Sequence, residues 1–139
     1  MTATIFVDTN ILIYAHDIDA GPRHEKALEL MRGLWQKNDG VLSIQVLQEF
    51  YVNITRKVPT PLPRTLARSL VETYACWTVV TPEPADLLRA SEIEERYRIS
   101  FWDAMILATA VKAGASTLWT EDLSHESIIE GILVVDPLR

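Results

Sequence analysis

The chain has a single cysteine, Cys76, among its 139 residues, so no disulfide can form within it. This usage fits a reducing compartment. Long hydrophobic runs are missing as well: none approaches the ~20 residues of a membrane helix, and Asp8 interrupts the first apolar run too early for a signal peptide. We therefore expect a cytoplasmic protein without a membrane span.

Basic residues are few, and the motifs of several enzyme classes are absent. The 13 Lys and Arg residues face 19 Asp and Glu residues, for a net charge of -6, whereas nucleic-acid binders normally present a basic surface. There is no glycine-rich phosphate loop, nucleophile elbow or Cys/His cluster. His16, His24 and His125 lack metal-ligand spacing and are expected at surface or partly buried positions.

With 48% apolar and 23% charged residues, the composition is that of a soluble globular protein. Residues 1–139 are expected to form one domain. Apolar periodicity predicts strands at 2–7, 41–44, 77–80, 116–119 and 132–135, and helices at 10–15, 23–37, 45–57, 63–74, 84–97 and 101–113. Strands that alternate with helices predict an α/β fold whose mostly parallel sheet is covered on both faces.

Four carboxylates occupy positions that otherwise belong to a hydrophobic interior. Asp8 ends a buried strand, Glu49 interrupts an amphipathic helix, Asp103 precedes a buried helical face, and Asp122 follows another strand. A buried carboxylate without a partner costs several kcal/mol or becomes neutral. Because parallel sheets bind ligands at the carboxyl ends of their strands, we expect the four acids to meet there.

Each acid also has a purely structural interpretation. Asp8 can cap the helix that follows it, and Ser100 to Asp103 fits a capping box. Asp122 can cap a turn, and Glu49 can be an ordinary charge at a helix edge. These interpretations are plausible one at a time, but coincidence would have to place all four acids at one sheet edge.

An all-oxygen cluster of acids suits a hard cation, Mg²⁺ or Mn²⁺. Without a counter-ion the four charges cannot all be present, so at least one acid should hold a proton. The chemistry that fits is metal-assisted hydrolysis of a phosphodiester. Bound metal would also neutralise much of the excess negative charge, which leaves room for a basic rim around the pocket.

The acids lie in four short motifs that resemble those of PIN-domain ribonucleases, and their order and spacing resemble the VapC-type toxins of toxin–antitoxin pairs. The motifs are Phe6 to Asn10, Gln48 to Phe50, Phe101 to Ile106 and Thr120 to Leu123. The resemblance covers essentially the whole chain and implies a three-layer α/β/α sandwich around a mostly parallel sheet of four to five strands.

Carried over to this sequence, the resemblance implies particular roles for individual residues. Asp8, Glu49, Asp103 and Asp122 would be the catalytic, metal-binding acids, with Mg²⁺ or Mn²⁺ as cofactor. Thr120 would help to position water or an acid, and Asn10 would orient the first acid. The side chain of Glu121 should point away from the site if the segment is extended.

The resemblance further implies an endoribonuclease that leaves 3′-hydroxyl and 5′-phosphate ends and acts on tRNA or rRNA. It implies a homodimer and a cognate antitoxin that covers the pocket with an Arg and carries the DNA-binding function of the pair. Basic residues that could bind RNA lie at the ends of three predicted helices: Arg56 and Lys57, Arg23 and Lys26, and Arg64 and Arg68. Solvated helix ends are an equally good interpretation of these cations.

Two alternatives to a nuclease stay open at this point. One is a protein- or RNA-binding module that keeps the fold without catalysis, and the complete set of acids argues against it. The other is a phosphate-trapping domain with an aspartyl intermediate, which would need a Lys near a strand end, whereas Lys112 lies within a helix. Tyr14 and Trp102 could stack on bases, but packing in the core is the expected role of Trp102 and of the other tryptophans, Trp35, Trp77 and Trp119.

Overall fold

The computed structural model describes residues 4–139, so residues 2 and 3 of the predicted first strand lie outside the described residues. The strands are β1 (Ile5–Val7), β2 (Gly40–Ser43), β3 (Thr78–Val80), β4 (Thr117–Trp119), β5 (Ile128–Ile129) and β6 (Ile132–Val135). The α-helices are α1 (Thr9–Tyr14), α2 (Pro22–Lys37), α3 (Ile44–Val52), α4 (Arg64–Tyr74), α5 (Pro84–Tyr97) and α6 (Phe101–Lys112). Within the described range, no helix has the length and apolar character needed to cross a bilayer.

The six strands form one sheet in the order β3-β2-β1-β4-β6-β5. All neighbours are parallel except β5, which pairs antiparallel with β6. Strand β1 lies inside the sheet, with Phe6 opposite Val41 of β2 on one side and Leu118 of β4 on the other. The carboxyl ends of β1 and β4 therefore lie side by side.

The helices form two groups on either side of this sheet: α1 to α4 pack against one another, and α5 packs against α6. The predicted three-layer, mostly parallel α/β fold is confirmed. The sheet has six strands rather than four to five, because β5 adds a two-residue strand too short to leave an alternating pattern in the sequence.

The helix expected at 45–57 is also different at its end. The α-helix α3 stops at Val52, and a π-helical turn, Asn53–Lys57, follows it. The side-chain amide of Asn53 donates to the carbonyl oxygen of Glu49 at 2.7 Å, and the backbone N–H of Val58 donates to the Asn53 carbonyl at 3.1 Å. Local side-chain hydrogen bonds of this kind compete with the regular helical ladder.

Two features of the core bear on the site. Helix α6 is buried at every position from Ala104 to Ala110. This buried part of the helix holds the first turn of α6 in place.

Gly40, at the start of β2, lies directly under Trp77: a Cβ atom there would be only 2.6 Å from the indole ring. The close approach of β2 to this ring therefore depends on glycine.

Candidate metal and active site

Asp8 is the first residue after β1, at the carboxyl edge of the sheet. Its side chain is only 6% exposed. One carboxylate oxygen, Oδ1, accepts a hydrogen bond from the backbone N–H of Thr9 at 2.7 Å, which caps the start of α1. The helix-capping interpretation of Asp8 is thus correct as far as this oxygen is concerned, and the second oxygen remains for other partners.

Thr120 supplies the next contact, from the end of the neighbouring strand β4. Its hydroxyl donates to Oδ2 of Asp8 at 2.7 Å and accepts from the backbone N–H of Asp122 at 3.1 Å. The hydroxyl is itself buried. Because it bonds to both segments, this hydroxyl sets where Asp122 lies relative to Asp8.

Asp8, Asp103 and Asp122 converge at this edge, and each offers a carboxylate oxygen within 4.8 Å of the other two. Asp103 is in the first turn of α6, where its backbone N–H donates to the hydroxyl of Ser100 at 3.1 Å. Among the described residues, the carboxylate of Asp103 accepts no hydrogen bond, so the reciprocal half of the predicted capping box is absent. This carboxylate is therefore directed at the cluster without a competing partner.

Glu49 is close to this cluster but does not belong to it. Its Oε2 accepts from the hydroxyl of Thr9 at 2.7 Å, and its Oε1 accepts from the side-chain amide of Gln45 at 2.9 Å. Both of its oxygens therefore already have donors. The resemblance implied that Glu49 is a metal-binding acid. In the structure Thr9 links it to Asp8, because the Thr9 hydroxyl donates to Glu49 and the Thr9 backbone N–H donates to Asp8.

Asn10 differs from its expected role. The resemblance implied that it orients the first acid, but its side-chain amide donates to Oδ2 of Asp122, at a long 3.4 Å. Asn10 is in the first turn of α1, immediately after the Asp8 cap, and so reaches the acid that follows β4. Asn10 therefore provides a second link between the segment that follows β1 and the segment that follows β4.

The acids surround a cavity of about 170 Å³. Its lining is Asp8, Thr9, Asn10, Gln45, Glu49, Trp102, Asp103, Ile106 and Asp122, with no Lys or Arg among them. Larger hollows, of about 370 and 440 Å³, lie elsewhere and are lined by mixed acidic and basic side chains. The smaller cavity is the better candidate because only there do three carboxylates converge.

The expectation that the tryptophans lie in the core was wrong for Trp35, which is 40% exposed, and most clearly wrong for Trp102. It was assigned to the core, but its side chain is 65% exposed and forms part of the rim of the acidic cavity. Helix α6 is buried along most of its length, yet its second residue faces solvent. Periodicity carried no signal for this, because α6 is apolar on every side.

Crowding and burial change the acidities in the cluster. Burial raises the pKa of Asp8 to about 7, and the nearby charges of Asp122 and Asp103 add to the effect, while the hydrogen bonds from Thr120 and Thr9 oppose it. The side chain of Asp122 reaches solvent, but partial loss of water and the charge of Asp103 still raise its pKa. Asp8 therefore keeps its proton to a much higher pH than an ordinary carboxyl group does, as expected for an acid cluster without a counter-ion.

Glu121 does not line the cavity, although the backbone bends at Glu121 and Asp122 and does not continue as an extended strand. It accepts a hydrogen bond from the hydroxyl of Tyr14 at 2.6 Å and lies 3.9 Å from Nε of Arg23. Burial and this carboxylate raise the pKa of Tyr14 to about 12. Tyr14 is thus engaged with Glu121, and Arg23 is the cation next to the segment that carries Asp122.

Two polar residues of the site were missed by sequence reasoning. Gln45 precedes Glu49 by four positions on α3, a spacing that places both on one helical face and could have identified it. Thr9 carried no such signal, because the partner of its hydroxyl is 40 residues away in the sequence.

The donor set fits a hard divalent cation. Three carboxylates meet in a cavity without basic residues, and burial together with the charges of Asp122 and Asp103 raises the pKa of Asp8. Carboxylate oxygens are the ligands that Mg²⁺ and Mn²⁺ prefer. With a cation bound, Asp8, Asp103 and Asp122 could all be ionised together.

Comparisons with known proteins agree with this architecture. Residues 5–129 match the family model described as the PIN domain. No curated protein matches the chain. Among solved structures, the chain is similar to VapC20 of Mycobacterium tuberculosis, described as a toxin that cleaves the sarcin–ricin loop, with 22% identity, a TM-score of 0.67 and coverage of 86% of this chain and 90% of that one.

Two further similar structures are of complexes. One is a toxin–antitoxin complex from Klebsiella pneumoniae, with 23% identity, a TM-score of 0.70 and coverage of 97% and 98% of the two chains. The other is DNA-bound VapBC from Salmonella typhimurium, with 18% identity, a TM-score of 0.67 and coverage of 98% and 99%. At these identities the likeness establishes a shared fold.

Proposed function

The chain belongs to the PIN-domain family, and from this premise we propose that it is a metal-dependent endoribonuclease that serves as the toxin of a toxin–antitoxin pair. The observation that carries the proposal is the convergence of Asp8, Asp103 and Asp122, whose carboxylate oxygens lie within 4.8 Å of one another. The similarity of the fold to VapC20 and to toxin–antitoxin complexes supports the toxin role.

In this proposal, Asp8, Asp103 and Asp122 hold Mg²⁺ or Mn²⁺ through their carboxylates. A bound cation of this kind supplies an acidic water and positive charge at the scissile phosphate. Thr120 holds Asp8 in place through its hydroxyl, and Glu49, fixed by Thr9 and Gln45, accepts hydrogen bonds from water at the edge of the cavity. The chain thereby positions the water and the phosphate without supplying a nucleophile of its own.

The test is cleavage of purified tRNA and rRNA in Mn²⁺, followed by mapping of the ends. We expect cuts that leave 5′-phosphate ends, no cuts in excess chelator, and at least a ~100-fold slower reaction for Asp103→Asn. Glu95→Gln is the matched control, because Glu95 is an exposed acid on α5 outside the cavity. Metal binding without cleavage of any RNA would instead favour a binding module that keeps the fold.

The partner in this proposal is a cognate antitoxin, and any contact with DNA is made through it. An Arg from the antitoxin, placed among the three carboxylates, would form charge-assisted hydrogen bonds and exclude the metal. Two copies of the chain would form a homodimer in the cytoplasm, where the RNA substrates are. Co-expression with the cognate antitoxin should yield a stable complex that cleaves no RNA until the antitoxin is removed by proteolysis.

A further inference from the structure

Trp102 is the second residue of α6, directly before Asp103, and its side chain is 65% exposed at the rim of the acidic cavity. Tryptophan is normally among the more buried residue types, because it has the largest apolar surface to remove from water. An exposed indole beside a cluster of carboxylates therefore has no stabilising role that its surroundings explain.

The indole is nevertheless held on a rigid support. It packs edge-on against Phe101, with ring centroids 5.3 Å apart and an interplanar angle of 77°. The helix that carries it begins at the Ser100 cap and is anchored by its buried stretch, Ala104 to Ala110. A flat ligand could stack on the exposed indole with little loss of side-chain entropy.

The charge around the cavity points to the same ligand. No Lys or Arg lines the cavity, and Arg23, a cation beside the segment that carries Asp122, lies 3.9 Å from the carboxylate of Glu121. Contacts between phosphates and basic side chains usually supply most of the affinity for nucleic acid. Where these are lacking, stacking of bases on aromatic rings is the contact that remains, and it accepts any base.

We propose that Trp102 is a stacking platform for the base of an unpaired nucleotide next to the scissile phosphate. This inference rests on the proposed nuclease function. A base inside a duplex already has both faces covered by its neighbours, whereas an unpaired base has a face free for the indole. Trp102 and Asp103 are adjacent in the chain and both line the cavity, so a base stacked on the indole would belong to a nucleotide close to a phosphate held at the carboxylates.

The test measures binding of a fluorescein-labelled single-stranded RNA decamer, in Ca²⁺ to prevent turnover, by fluorescence anisotropy. We expect Trp102→Leu to weaken binding by about 10- to 100-fold, and Trp102→Phe, which keeps an aromatic face, to weaken it by less than about 5-fold. Binding of the same decamer as a duplex should be weak and unchanged by either variant. Leu88→Ala is the control, because Leu88 is 64% exposed on α5, away from the cavity.

A decamer with a single abasic nucleotide at the cleaved position separates stacking from other contacts. If the indole stacks on that base, Trp102→Leu should weaken binding of the abasic RNA by less than about 2-fold, since the base is already gone. Equal losses for intact and abasic RNA would overturn the proposal. A changed oligomeric mass of Trp102→Leu, or lost binding of a co-expressed antitoxin with RNA affinity intact, would also overturn it and assign the indole to a protein interface.

The cleavage assay keeps the two proposals separate. If the wild-type protein cuts no RNA in Mn²⁺, the nuclease proposal fails. If the wild-type protein cuts RNA and Trp102→Leu has the same KM and kcat on a single-stranded substrate, only the stacking proposal fails. The expected result is a KM raised by about 10-fold or more with a smaller change in kcat, because stacking holds the substrate without touching the reacting atoms.

Discussion

Thr120 donates a 2.7 Å hydrogen bond to Asp8 across a sequence separation of 112 residues. The two residues follow neighbouring parallel strands, β4 and β1, and the hydroxyl of Thr120 is also the acceptor for the backbone N–H of Asp122. One buried hydroxyl thus fixes the relative position of two acids of the proposed metal site.

Thr120→Val should therefore damage the metal site while leaving the fold in place. Valine has nearly the same shape, but it removes the donor that opposes the rise in the pKa of Asp8. We expect Mn²⁺ affinity and the cleavage rate to fall by about 10- to 100-fold, the usual effect of losing a hydrogen bond to a metal ligand. Thr120→Ser, which keeps the hydroxyl, should retain most activity, and equal activity of the Val and Ser variants would contradict this role.

Asp8 should make the metal-free protein less stable as the pH rises. The carboxyl of an unfolded chain titrates near 3.8, but burial raises the pKa of Asp8 to about 7 in the folded protein. The folded state therefore binds more protons between these two values, so stability is greatest below the lower pKa and is lost as the pH rises toward the higher one. Urea unfolding in chelator should show this loss between pH 4 and pH 7.

Asp8→Asn removes the titrating group, and it should stabilise the metal-free protein at pH 8 by about 1–4 kcal/mol. The variant should also flatten the pH dependence of its unfolding free energy while abolishing cleavage. The wild-type protein in saturating Mn²⁺ is the internal comparison, since a bound cation favours the charged carboxylate. A variant less stable than wild type at pH 8 in chelator would refute the prediction.

Glu49 and Asp122 should differ in their effect on metal binding. Both oxygens of Glu49 already accept hydrogen bonds, from Thr9 and Gln45, whereas Asp122 belongs to the cluster of converging carboxylates. Isothermal titration with Mn²⁺ should show more than about 100-fold weaker binding for Asp122→Asn and less than about 10-fold for Glu49→Gln. The opposite order would place Glu49 in direct contact with the metal.

Gly40→Ala should destabilise the sheet by about 1–3 kcal/mol, the typical cost of overpacking a core. A methyl group there would lie 2.6 Å from the ring of Trp77, so strand β2 or the indole must move. Gly33→Ala is the matched control, because Gly33 lies within α2 with nothing within 4 Å of the added atom. That variant should be more stable than wild type by up to about 1 kcal/mol. Thermal unfolding of both variants distinguishes the two effects.

Much of the fold could be predicted because its signals are local. The strand before Asp8 and the helix Pro84–Tyr97 follow from apolar runs, periodicity and caps, and the observed bounds differ from prediction by few residues. That Asp8 and Asp122 share a sheet edge also follows from the sequence, since parallel strands that precede acids bring those acids to one edge.

The rest depends on contacts between distant segments. Strand β5 exists only because β6 provides its hydrogen bonds, and the exposure of Trp102 depends on where α6 enters the sandwich. The hydrogen bond to Oε2 of Glu49 likewise requires Thr9, at the start of α1, to lie beside α3. A pattern within one segment carries no record of such partners, so the sequence could name the four acids but not the hydrogen bonds that hold Glu49 apart from the other three.

Strand β1 lies between β2 and β4 in the sheet, and β4 is synthesised later than the other two. The order of synthesis therefore determines when the proposed metal site can form. Asp8 and Glu49 are synthesised long before Thr120 and Asp122, and Asp103 also precedes them. Until then β1 has a partner on one side only, and the three-carboxylate cluster is incomplete. The three-carboxylate cluster can therefore form only after residue 122 has been translated, so the proposed cleavage should not begin before that point.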